Sequence, residues 1–99
     1  MTMNKRGLKF LGRIVNKKLD KVRNKKSSYY GNFYLRLQVV LEEKREITEI
    51  LVFKEWLANQ SIWLDLEQRN YLDKKFLFYC QRKPGAGQVY RLIDWEELK

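Results

Sequence analysis

The sequence predicts a small all-β domain with one helical insertion, a five-stranded barrel whose helix lies between the third and fourth strands. Three observations carry this. Tyr30 to Leu41 alternates with a period of two: Phe33, Leu35, Leu37 and Val39 point one way, and Tyr34, Arg36 and Gln38 the other. That is the pattern of a half-buried strand. Further short apolar runs are separated by charged, Asn/Ser-containing or Gly/Pro-containing connections. One connection alone, Lys54 to Asp73, is long and rich in helix formers.

The elements follow in chain order. Residues 1–7 are polar and basic and read as an N-terminal arm, with residues 8–99 as one domain. Leu8 to Val15 is the first strand, and Gly12 inside it marks a bulge or a tight bend where a barrel curls. Residues 16–29, NKKLDKVRNKKSSY, read as an exposed basic loop. After the second strand, EEKRE (42–46) is a charged hairpin tip, and Ile47 to Phe53 is a third strand with Ile50 and Val52 in the core. In Lys54–Asp73 a helix is favoured, with Ser61 capping a segment that begins at Ile62. The alternation of Ile62, Leu64 and Leu66 leaves a short strand open. Phe76 to Gln81 and Val89 to Ile93 are the fourth and fifth strands, joined by RKPGAGQ (82–88), and Trp95 closes the barrel end. A five-stranded barrel with its helix between strands three and four is the OB-fold arrangement. An SH3-like barrel lacks so long a segment there.

Charge is concentrated at one end of the chain. Residues 1–26 hold ten Lys or Arg against one acid, Asp20, and so account for the whole net charge of +9. Residues 27–99 balance eleven bases against eleven acids. A local block of positive charge implies a polyanionic partner. Nucleic acid ranks above a membrane surface, because residues 16–28 lack the apolar face of an interfacial helix. Apolar runs such as Phe76 to Cys80 are far short of the ~20 residues of a membrane span, so no membrane insertion is expected. No charge-free apolar stretch opens the chain as a signal peptide would. The single cysteine, Cys80, excludes an internal disulfide, suits a reducing compartment and reads as an apolar filler.

Enzyme chemistry has little support. The chain has no His, the commonest general base and metal ligand, and one Cys without His makes neither a nucleophile pair nor a zinc site. Gly85-Ala86-Gly87 lacks the Lys-Ser/Thr of a phosphate loop. Asp65 with Glu67, and Asp94 with Glu96, have the spacing of solvated faces. No catalysis and no cofactor or metal is expected.

Single-stranded nucleic-acid binding needs cations for phosphates and rings for bases. An OB-fold binds on its strand 2–3 face, flanked by the 1–2 and 4–5 loops. On this chain the face carries Tyr34, Arg36 and Gln38, with Arg13 on the first strand. The 1–2 loop brings Lys17, Lys18, Lys21, Arg23, Lys25 and Lys26, and the 4–5 loop Arg82 and Lys83. Tyr29 and Tyr30 stand at the loop–strand junction as stacking residues. Phe53 shares a phase with Leu51, which points to core burial. Trp56 and Trp63 read as helix-to-barrel packing. The expectation is a sequence-tolerant binder of single-stranded DNA or RNA. The alternative is an OB-like structural subunit of a larger assembly, using its arm and loop to dock on RNA or an acidic protein surface.

FLGRIV, GNFYLRLQVV, ILVF, YLDKKFLFYCQRK and QVYRLIDW together resemble the strands of the single-stranded DNA-binding protein family, including its small primosomal-replication-protein-like members. The resemblance implies an OB-fold, single-stranded DNA binding in replication, homo-oligomerisation, and base stacking by Phe53 on the third strand. The Lys- and Asn-rich composition is similar to that of small plastid-encoded members. It implies the plastid stroma, or otherwise a bacterial-type cytoplasm. The chain stops at Trp95-Glu96-Glu97-Leu98-Lys99 without the family's acid-tipped tail, so recruitment of partners through such a tail is not expected.

Overall fold

The first strand does two jobs. In the computed structural model, which describes residues 8–82 and 89–98, β1 is Leu8–Lys21, β2 Phe33–Leu41, β3 Ile47–Val52, β4 Lys75–Arg82 and β5 Tyr90–Leu98, with a helix α1 at Ser61–Glu67. Leu8 to Gly12 of β1 pair with β4, and Gly12 to Lys21 pair with β2. This closes the barrel in the order β1-β2-β3-β5-β4. Neighbours are antiparallel except β3 and β5, which run parallel. A closed five-stranded barrel with its helix between β3 and β4 is the OB-like architecture that the sequence pattern predicts. The expected arm, residues 1–7, and Lys83 to Gln88 lie outside the described residues.

Gly12 sits where β1 passes from one partner to the other. A Cβ at this position would lie 2.2 Å from the Val40 carbonyl oxygen, so the bend closes only around a residue without a side chain. The bulge itself falls three residues later, between Ile14 and Asn16. Val15 is squeezed out of register and half exposed. The extra residue reverses the alternation. Ile14 faces the core, and beyond the bulge Lys17, Leu19 and Lys21 follow that inner face, opposite Leu37, Leu35 and Phe33. Asn16, Lys18 and Asp20 take the outer face.

This corrects two boundaries. Residues 16–21, expected as loop, are strand, because pairing with Phe33–Gln38 satisfies their backbone groups and overrides the weak β-propensity of NKKLDK. The resulting β1–β2 ribbon overhangs the barrel, and Lys17, Lys18 and Lys21 ride on it instead of on a loop. β5 runs on to Leu98 past the expected end at Ile93, with Trp95 inside it opposite Phe78.

The core is built from the inward residues of every strand and from the helical segment: Leu35, Leu37, Val39, Ile50, Val52, Phe78, Cys80 and Leu92 with Leu57, Ile62, Trp63, Leu66 and Tyr71. Trp95 packs against it, stacked 4.0 Å from Phe76. Burial pushes the Cys80 thiol up to about 12, so it behaves as a small apolar side chain. Within Lys54–Asp73 the helix is shorter than expected. A 3-10 turn at Lys54–Trp56 precedes seven residues of α1. Ser61 is its first residue, not its cap, and donates its N–H to Asn59 Oδ1 at 3.0 Å. Ile62, Trp63 and Leu66 face the barrel while Leu64 is exposed, which is helical spacing and excludes the strand alternative. The Lys17 ammonium donates to the Leu66 carbonyl oxygen near the helix C-terminus. Arg69 and Asp73, both at φ 60°, then turn the chain back to β4. No helix among the described residues is long and apolar enough to cross a membrane.

Candidate nucleic-acid interface

Cross-strand partners share a face, so the outer surface of β1, β2 and β3 can be read in rows. One row is Arg13, Val40 and Ile47; the next is Asn16, Gln38 and Glu49. Then comes Lys18, Arg36 and Leu51, extended to Arg91 by the β3–β5 pairing. The last is Asp20 and Tyr34, whose ring stacks on Phe53 at 4.9 Å between centroids and 17° between planes. Rows lie roughly 7 Å apart, two residues of strand rise.

At the Tyr34 end this face opens into a cleft of about 480 Å³. Tyr29, Tyr34, Phe53 and Trp56 supply four rings, Arg23 and Arg91 two guanidinium groups, and Asn24, Ser27 and Ser28 polar atoms from the loop after β1. Among the described residues lining it there is no carboxylate. Tyr29 lies 6.1 Å from Phe53, and the Arg91 guanidinium lies 4.1 Å above the Trp56 ring. Phe53 is only 7% exposed, yet it stands outside the barrel core, covered by other cleft rings. Of the two alternatives left open for it, burial is the one observed, and the rings it packs on are those of Tyr34 and Tyr29. Partial burial, and then the Asp20 carboxylate, raise the Tyr34 hydroxyl above its usual range and keep it neutral.

The cations expected on this face are not equivalent. Arg36 is engaged on both sides: it grips Glu49 with Nη2 at 3.0 Å and Nε at 3.3 Å, and reaches Asp20 with Nη1 at 3.3 Å. Its hydrogen bonds to Glu49 are the main reason its pKa is raised further. Asp20 is held below the usual carboxylate range, first by the Lys21 backbone N–H and then by Arg36 and Arg23. Lys17 is committed to the end of α1 and lies 5.4 Å from the Tyr71 ring. Lys18, Arg23, Lys25 and Lys26 are exposed on the ribbon and its loop. Gln38 is exposed and accepts from Asn16 Nδ2 at 3.3 Å.

Of the residues predicted from sequence, the fold gathers Arg23, Tyr29, Tyr34 and Phe53 into the cleft and leaves Lys18, Lys25 and Lys26 on the ribbon and loop beside it. Tyr30 lines a neighbouring recess with Lys21. Arg13 lies three rows away, about 20 Å by strand rise. Arg82 pairs with Tyr90, on the face opposite Arg91. Lys83 is outside the described residues. Sequence reasoning missed Arg91 and took Trp56 for packing. Arg91 belongs to the last strand and reaches the site through a non-local parallel pairing that no local pattern signals. Comparison with protein-family models, curated proteins and solved structures returned no match. What defines the protein is an OB-like barrel with an aromatic, cationic cleft at the end of its β2–β3 face.

Proposed function

We propose that the chain is a non-catalytic, sequence-tolerant binder of single-stranded nucleic acid, DNA before RNA, that takes bases into this cleft. The observation that supports it best is the convergence of four rings and two guanidinium groups with no carboxylate among the described lining residues. Planar bases stack on the rings and phosphates pair with Arg23, Arg91 and the exposed lysines. A duplex hides its base faces in its own stack, so single strands are the better ligand. The test is a salt series with one sequence as single- and double-stranded DNA and RNA. Affinity is expected to favour single strands and fall steeply with salt. No binding of oligo-dT at ~50 mM salt, where a basic control protein binds, refutes the proposal.

A second reading, an OB-like subunit held in a larger assembly, draws on one observation. At the far end of the same face Val15 is 51% and Ile47 61% exposed, near Val40. Apolar exposure away from the cleft suits a protein neighbour, either a second copy or another subunit. A stoichiometric complex that survives nuclease in a native pull-down would favour it.

A further inference from the structure

We infer that a bound strand does not end in the cleft but continues over the tip of the β1–β2 ribbon to its reverse face, where Phe33 and Lys21 form a second base-stacking subsite. This rests on the reading of the cleft proposed above.

The Val15 bulge sets up the surface. Past it, Lys17, Leu19 and Lys21 share a face with Phe33, opposite to that of Tyr34. Inside the barrel this face is core, and Leu35 and Leu37 on it are buried. Beyond Leu35 the ribbon overhangs, and the same face is open: Leu19 and Phe33 are each 56% exposed. The Lys21 ammonium lies 5.7 Å from the Phe33 ring centroid. Lys21 also lines a recess of about 190 Å³ at the ribbon tip with Tyr30, Gly31, Val22 and Arg23. Val22 and Arg23 line the cleft as well. Rings and cations therefore run without a break from Tyr34 and Tyr29, past Arg23, to Tyr30, Lys21 and Phe33.

The charge identifies the occupant. Lys21, Arg23, Lys25 and Lys26 surround the tip, and its one acid, Asp20, is already held by Arg36 and Arg23. A polyanion with planar bases meets both features, the cations through its phosphates and the exposed ring through a base. An apolar protein surface would cover Phe33 and Leu19 and leave the cations unpaired.

The test compares oligothymidylates of about 4 and about 16 nucleotides, the limits of OB-fold site sizes, by fluorescence anisotropy. Phe33→Ser is expected to weaken the long oligomer about fivefold or more and leave the short one unchanged. Lys21→Gln is expected to lower the salt slope for the long oligomer alone by about 0.7. Tyr34→Ala should weaken both lengths. Phe33 is exposed, so a thermal melt of Phe33→Ser is expected to match the parent. Unchanged long-oligomer affinity in Phe33→Ser removes the ribbon subsite while the Tyr34→Ala result still supports the cleft. Equal loss at both lengths makes Phe33 structural and also overturns the inference. A dimer dissociated by Phe33→Ser, or anionic vesicles released by it, with long-oligomer binding unchanged, reassigns the face to self-association or to a membrane surface. Absence of any binding by the parent protein removes the cleft reading itself.

Discussion

Replacing Arg91 with methionine separates charge from stacking at the cleft. Methionine keeps most of the aliphatic stem but removes the guanidinium that lies 4.1 Å above Trp56. A half-exposed cation–π contact is worth about 1 kcal/mol, and in a domain of this size that lowers the melting temperature by about 4–8 °C. If Arg91 meets a phosphate, its loss also lowers the slope of log K against log salt by about 0.7, the single-strand increment per neutralised phosphate. Arg91→Lys divides the two effects. An ammonium still meets the phosphate and restores the slope, but it lacks the planar fork that lies flat on an indole. The assay is anisotropy of a labelled oligo-dT across salt, with a thermal melt for stability. A salt slope unchanged in Arg91→Met would refute the assignment of Arg91 to the phosphate path. A slope lost equally in the lysine variant would show that geometry, not charge, sets the contact.

Three other outcomes are expected. Tyr34→Ala weakens single-strand binding by about 1–3 kcal/mol, the value of one base stack, and costs about 1 kcal/mol of stability through the lost Phe53 partner. Unchanged affinity in equilibrium titration would exclude the strand face from the site. Glu49→Gln releases part of the Arg36 guanidinium and tightens binding, with the salt slope rising by up to about 0.7; weaker binding in the same salt series would contradict the view that Glu49 neutralises Arg36. Gly12→Ala destabilises the barrel by about 1–3 kcal/mol or more, because the new methyl meets the Val40 carbonyl oxygen. A denaturant midpoint equal to the parent's, at equal m-value, would show that the bend tolerates a side chain.

Much of the barrel was legible because its signals are local. The two-residue period of β2 puts Leu35, Leu37 and Val39 inside and Tyr34, Arg36 and Gln38 outside, as observed. Phe33 keeps the inner phase but not the burial, since the ribbon has left the barrel by that point. For α1, Ile62, Leu64 and Leu66 fit two periods over so short a stretch, and the exposed Leu64 decides for the helix. The extent of β1 was hidden because NKKLDK looks like loop until a partner strand satisfies its backbone.

The sequence by itself determined the phase of β2, the position of the helical insertion and the basic N-terminal quarter. These depend on neighbours along the chain. Tertiary structure alone decided which cations are free. Arg36 is held by Asp20 and Glu49 from two other strands, Lys17 by the end of α1, and Arg91 is carried to the cleft by β5. The physical reason is that a charge is spent or spared by whatever lies within a few ångströms of it, and across a barrel those neighbours are distant in sequence.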